Sequence, residues 1–177
     1  MADDVIAIFD HIGLQSSHLL GISMGGIISQ EIYKKFPERL EKLFLVSTAT
    51  KSDHIHKVHF TSELDQNIEI AKTYFSDKYL QGNLMLVKAI AKQVTQKVQE
   101  KHASEQSKAI QSFDFDIAKT DGLHFIHGRE DRIMPIRYLD EILKSKPDIK
   151  NKIFGECGHL LLVECPKEFY DYVISSL

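Results

Sequence analysis

A chain of 177 residues, 43% hydrophobic and 27% charged, fits one domain with a sizeable core, because a domain of about 150 residues buries roughly 70% of its unfolded surface. Its net charge of -3 gives no electrostatic case for nucleic acid or an anionic membrane as partner, and no segment reaches the ~18 unbroken apolar residues of a membrane span. Cys157 and Cys165 are too few for a disulfide framework and are expected as free thiols, although they flank a predicted turn that a bridge could close. The N-terminus, Met1-Ala2-Asp3-Asp4, is acidic where a signal peptide would be basic and then apolar. The cytoplasm is the expected location.

In chain order, Val5, Ile6, Phe9 and Ile12 recur at helical spacing, with Asp3 and Asp4 near the helix start and Gly13 as its stop. The short apolar run Leu19-Leu20-Gly21-Ile22 reads as a strand and breaks at Ser23-Met24-Gly25-Gly26. A second helix carries Ile28, Ile32 and Phe36 on one face and ends at Pro37. Leu43-Phe44-Leu45-Val46 is wholly apolar, the pattern of a strand buried on both faces of a parallel sheet. Strand, helix and strand in this order make a βαβ unit and predict an α/β fold.

Residues 51 to 113 carry two helical stretches and no strong strand. One presents Leu64, Ile68, Ala71 and Phe75; the other presents Leu84, Val87, Ala91, Val94 and Val98, with Lys88, Lys92, Lys97 and Lys101 among its polar positions. They read as a helical insertion between two strands. The strand pattern resumes at Leu123-His124-Phe125-Ile126 and stops at His127-Gly128. A helix follows Pro135, a short strand lies near Ile153-Phe154, and the last helix starts near Pro166. The expected architecture is a parallel sheet of about four strands with helices on both faces.

Gly21-Ile22-Ser23-Met24-Gly25 is a G-x-S-x-G pattern. A strand turning sharply into a helix strains the backbone at the serine and needs glycines where a Cβ would clash. The hydroxyl is then held at the carboxyl edge of the sheet, near the positive end of a helix dipole. The pattern alone arises by chance in roughly one chain in twenty of this length, and a plain glycine turn also satisfies it. The apolar strand before it and the amphipathic helix after it favour the chemical reading.

A serine hydroxyl needs a base to take its proton. His159, in Gly155-Glu156-Cys157-Gly158-His159, lies in a loop from which an imidazole can reach across the top of a sheet. That base needs a carboxylate to fix its tautomer. Asp131, in the turn Gly128 to Pro135, stands where sites gather at the strand ends of a parallel sheet. Glu130 is the rival acid, and a charged turn paired with Arg129 and Arg132 accounts for both residues. The order Ser, Asp, His is the one that α/β-hydrolases use.

These three segments resemble the α/β-hydrolase family, in its esterase and lactonase branch. Ser17 to Thr48, with Phe36-Pro37-Glu38-Arg39, looks like the nucleophile-elbow unit. Leu123 to Pro135 looks like the acid-bearing strand and turn, and Gly155 to Phe169, with Glu164-Cys165-Pro166, like the histidine loop and final helix. The resemblance implies a truncated α/β-hydrolase fold. Residues 1–50 would be the nucleophile-elbow part, 51–113 a helical cap over the pocket, and 114–177 the part bearing acid and histidine. It implies Ser23 as nucleophile, Asp131 as acid, His159 as base and the Met24 N–H as an oxyanion donor. The implied reaction is hydrolysis of a small carboxylic ester, lactone or related acyl substrate, with no cofactor or metal.

The family's first strands, and a His-Gly type loop that supplies a second oxyanion N–H, would stand before the part this chain matches. Two expectations follow. The strand leading to Ser23 would be an open hydrophobic edge, inviting self-association or a complementing chain. A missing oxyanion donor would cost about 2.7–4 kcal/mol of transition-state stabilisation. The alternative function is therefore a catalytically impaired fragment or pseudo-hydrolase that needs a partner chain.

Other patterns carry less. His54, His56 and His59 lack a cysteine or carboxylate at a familiar metal-ligand spacing and read as a solvated loop. The lysines from Lys88 to Lys108 alternate with Glu100 and Glu105, as on a solvated face. Met24 and Met85 read as packing residues, and phosphate-binding glycine loops are absent.

Overall fold

The computed structural model describes residues 1–56, 58–97, 108, 110, 111, 113–117 and 120–177. In chain order the elements are α1 (Ala2–His11), β1 (Ser17–Ile22), α2 (Met24–Lys35), β2 (Leu40–Val46), α3 (Leu64–Lys72), α4 (Asp77–Lys97), β3 (Leu123–Gly128), α5 (Ile136–Ser145), β4 (Lys150–Phe154), α6 (Leu161–Glu164) and α7 (Pro166–Ser175). All four strands run parallel in the order β1-β2-β3-β4. The expected positions of Val98, Glu100, Lys101 and Glu105 on the second inserted helix lie outside the described residues.

The central strands show why an unbroken apolar run is required here. Leu43 and Leu45 of β2, with Leu123 and Phe125 of β3, pack on one face against Ile27 of α2 and Leu139 of α5. Phe44, Val46 and Ile126 face the other way and pack against Phe154, Leu161 and Phe169. Alternate side chains point to opposite faces, so a strand covered on both sides is apolar at most positions; in β3 His124 and His127 are the buried polar exceptions. Each Leu, Ile or Phe fully buried in this way contributes about 1.5–3 kcal/mol of transfer free energy. Outside the sheet, Ala2, Ile6 and Phe9 of α1 pack on Ile32 of α2.

The insertion between β2 and β3 has its own small core, formed by Ala71, Phe75, Val87 and Ala91. Phe75 stands beyond the end of α3, in the link to α4, where it is buried. α4 departs from helical backbone at Asn83, with φ -129° and ψ 19°. Met85 is 79% exposed, which corrects the expectation that it packs.

The register puts the chemistry at one edge. Ile22 is opposite Val46, Val46 opposite Ile126, and Gly128 opposite Phe154. The chain therefore leaves every strand at the same carboxyl edge, just before Ser23, Asp131 and His159. Among the described residues β1 pairs only with β2. Its Leu19, Leu20 and Ile22 are half-buried, where their β2 partners are fully buried. No helix of the described residues is long and apolar enough to cross a membrane.

Candidate active site

The turn from β1 into α2 leaves Ser23 at φ 52° and ψ -119°, a left-handed conformation that a residue with a Cβ adopts at a cost of order 1–3 kcal/mol. Its neighbours hold it there. The Ser23 N–H donates to the Val46 carbonyl at 2.9 Å, and the Ser23 carbonyl accepts from Gly26 N–H at 2.9 Å and from Thr48 Oγ1 at 2.7 Å. Of the pattern's two glycines only Gly21 needs its size, since nothing lies within 4 Å of a Cβ at Gly25, while Gly26, outside the pattern, does need it. A Cβ at Gly21 would collide with the Ser29 hydroxyl and the Gly25 carbonyl, and one at Gly26 would lie 2.6 Å from the Thr48 side chain. Met24 is the first residue of α2, so its N–H has no acceptor within the helix and points from the positive end of the dipole.

From this elbow a continuous chain of hydrogen bonds runs inward. Ser23 Oγ lies 2.9 Å from His159 Nε2, and His159 Nδ1 lies 2.8 Å from Asp131 Oδ2. A carboxylate can only accept, so Nδ1 carries the proton and Nε2 is left as an acceptor for the serine hydroxyl. Asp131 is 4% and His159 2% exposed, whereas Ser23 is half-buried and reachable. Asp131 is held by its own turn: its Oδ1 accepts from the N–H groups of Ile133 and Met134, each at 2.8 Å.

Two further side chains shape the electrostatics. His127, buried at the end of β3, donates from Nε2 to the Met134 carbonyl at 2.6 Å, and the same nitrogen is 3.5 Å from Asp131 Oδ2. Burial holds this imidazole below its ordinary pKa, partly countered by the Asp131 charge. It is neutral near pH 7, so no second cation competes with His159 for the carboxylate. Tyr74 presents its ring edge to His159 with centroids 5.4 Å apart. Burial, and secondarily the Asp131 charge, push the phenol above its usual range, so it stays protonated.

All four sequence-derived site residues thus meet: Ser23, His159 and Asp131 in one hydrogen-bonded chain, with Met24 beside the hydroxyl-bearing turn. Of the two neighbouring carboxylates, Asp131 is the one bonded to His159. Glu130 Oε2 turns away and accepts from the Asp77 N–H at 3.0 Å, at the start of α4. Tyr74 carried no signal of this kind in the sequence, because it reaches the site through a contact between distant elements, whereas His127 lies only four residues before Asp131 and its spacing gave no pattern that singled it out.

The remaining candidates lie elsewhere. His54 stacks on Tyr138 with centroids 4.1 Å apart, and His56 Nδ1 lies 3.0 Å from the Arg132 carbonyl. Among the described residues no group of three or more metal-ligating side chains gathers. Cys157 and Cys165 are free thiols with sulfurs 3.0 Å apart. Burial raises both above the ordinary thiol range, so neither is a ready nucleophile at neutral pH.

Comparison with known proteins bears on the fold and family. The chain is 23% identical over 180 residues to a 2-hydroxymuconate semialdehyde hydrolase of Pseudomonas putida, which covers 94% of this chain and 64% of that protein. It is 28% identical over 111 residues to a 3-oxoadipate enol-lactonase of Acinetobacter baylyi, covering 59% of this chain and 42% of the relative. In the structure of a meta-cleavage product hydrolase from Pseudomonas fluorescens, the fold matches with a TM-score of 0.80 at 19% identity, over 99% of this chain and 69% of the other. The chain thus spans less than two thirds of the length of the curated relatives it matches most clearly. The sequence model of the alpha/beta hydrolase fold matches residues 1–89, and with the parallel sheet and the strained serine turn already described, the chain belongs to the α/β-hydrolase fold family.

Proposed function

We propose that the protein is a serine hydrolase acting on small carboxylic esters, lactones or related acyl compounds. The observation that carries this reading is the unbroken hydrogen-bonded chain from Ser23 Oγ through His159 to Asp131, at a strained turn. In the reaction, Ser23 Oγ attacks the substrate carbonyl carbon while its proton passes to His159 Nε2. The Met24 N–H, at the positive end of α2, donates to the oxygen that becomes negative. Asp131 stabilises the imidazolium without taking its proton. His159 then gives the proton to the departing group, and a water activated by the same nitrogen cleaves the acyl-enzyme. The names of the relatives, a semialdehyde hydrolase and an enol-lactonase, support small oxygen-rich acyl compounds as the first substrates to try. In this reading α3 and α4 form the cap over the pocket.

The test is labelling by a fluorophosphonate probe beside turnover of a short p-nitrophenyl ester, with Ser23→Ala as control. Labelling and turnover that both vanish in the mutant are the expected result. A mutant that turns over at the wild-type rate overturns the assignment.

The free edge of β1, with its half-buried Leu19, Leu20 and Ile22, favours a second reading. A complementing chain, or a second copy, pairs with β1 and completes the sheet before the site works. Light scattering distinguishes the two. A monomer that turns over needs no complement, whereas a folded monomer that neither labels nor turns over supports this second reading.

A further inference from the structure

His159 is buried, yet its loop between β4 and α6 contributes little to holding it. Its backbone N–H and that of Leu160 both donate to the Tyr74 carbonyl, at 2.9 and 3.2 Å. Tyr74 belongs to the link between α3 and α4, so the base is tied to the insertion as well as to the sheet side, where the Glu130 N–H donates to the Cys157 carbonyl at 2.9 Å. The seam between link and loop is closed without slack. A Cβ at Gly158 would lie 2.7 Å from the Phe75 carbonyl carbon, 2.8 Å from Ser76 N and 2.9 Å from Tyr74 O.

One side chain ties the two sides of this seam together. Glu164, half-buried at the end of α6, accepts from the Gly158 N–H with Oε1 at 2.9 Å and from the Ser76 N–H with Oε2 at 3.1 Å. Its two oxygens therefore satisfy one buried N–H in the histidine loop and one in the α3–α4 link. Such charge-assisted bonds are about twice as strong as neutral ones. Glu164 touches neither Ser23 nor the reacting atoms.

We propose that Glu164 is a positioning residue for His159, bridging the Gly158 and Ser76 N–H groups so that the base and the α3–α4 insertion move as one piece. The proposal rests on the reading of His159 as the general base. Its consequence follows from the tolerance of proton transfer: a displacement of about 1 Å costs on the order of a hundredfold in rate. With Glu164 in place, Nε2 stays within bonding distance of Ser23 Oγ only while the insertion is seated. Displacement of α3 and α4 then switches off the base as well as opening the pocket.

The test compares wild type with Glu164→Gln, which preserves size but leaves one acceptor oxygen where two N–H groups need one each. Expected is a fall in kcat of roughly ten- to a hundredfold with KM changed less than twofold, and fluorophosphonate labelling slowed by the same factor as kcat. The downfield proton resonance of the His159–Asp131 hydrogen bond broadens in the variant, while circular dichroism is unchanged. Lys78→Ala removes the exposed Lys78–Glu156 ion pair across the same seam and leaves rate and resonance as in wild type. A folded Glu164→Gln protein with wild-type kcat and resonance overturns the proposal.

If Glu164→Gln does not fold, amide exchange of the wild type decides. Gly158 and Ser76 N–H groups exchanging as slowly as that of His159 support the bridge, and exchange at the rate of an exposed loop overturns it. A wild type that neither labels nor turns over counts against activity of the chain alone rather than against Glu164, which the resonance still judges.

Discussion

The acid turn and the histidine loop achieve the same end by opposite means. Asp131 accepts from the N–H groups of Ile133 and Met134, two and three residues away. His159 is held by the Tyr74 carbonyl and, through Gly158, by Glu164, whose other oxygen bonds Ser76, 88 residues distant in sequence. A turn that folds on its own neighbours places its carboxylate wherever the strand ends. A loop that borrows its hydrogen bonds from another element places its imidazole only after that element has docked. Asp131 is thus held by bonds within its own turn, and His159 by bonds from another element.

The sharpest way to break this comparison is to alter the acid itself. Asp131→Asn keeps a carbonyl oxygen for the two backbone donors while offering His159 an amide NH2, which forces the wrong imidazole tautomer. A loss of about 10⁴-fold in kcat is expected, with little change in melting temperature because the turn survives. Glu164→Gln, by contrast, leaves the tautomer intact and loses the smaller factor given above. Near-equal losses in the two variants would erase the distinction between chemical and positional roles.

Gly158→Ala probes the seam from the packing side. The added methyl meets backbone atoms at 2.7 to 2.9 Å, with no flexible side chain to give way. Destabilisation of about 1–3 kcal/mol is expected, read as a lower urea midpoint, together with slower turnover. Gly25→Ala is the comparison, since nothing lies within 4 Å of its added Cβ and its urea midpoint is expected to fall less.

The smallest effect expected is on pH dependence. Burial holds folded His127 below the ordinary imidazole value of 6.5. As pH falls below about 6.5, the unfolded chain takes up a proton that the native His127 refuses, so the unfolded state gains and stability declines. Above the unfolded value both states carry neutral imidazole, and this contribution to the slope vanishes. Urea midpoints measured between pH 7.5 and 5.5 are expected to fall with acidity, and to fall less steeply in His127→Gln. Parallel curves for the two proteins would show that His127 shares no part of the decline.

What could be read in advance follows the same division between local and distant. The apolar run at Leu43 to Val46 announces a strand buried on both faces, because alternation is lost only when neither face meets water. Gly21 and Gly25 mark the elbow in the sequence, but only at Gly21 does an added Cβ collide within the turn itself, with Ser29 and the Gly25 carbonyl. The same turn offered Asp131 and Glu130 side by side, and nothing in their spacing separated them. The structure separates them: Asp131 is held by the Ile133 and Met134 N–H groups with its other oxygen on His159, while Glu130 accepts from the Asp77 N–H of α4. Met85 shows the opposite error: an apolar residue at helical spacing whose side chain points away from every packed face.

The sequence by itself determined the parallel sheet, the strained serine turn and the candidate set Ser23, Asp131 and His159, because strands, glycine turns and strand-end carboxylates obey rules that operate over a few residues. The tertiary structure alone decided which carboxylate faces the imidazole and that Tyr74 and Glu164 bond its loop. Those outcomes depend on hydrogen bonds and packing between elements far apart in the chain, and no local pattern encodes which buried N–H a distant carboxylate will meet.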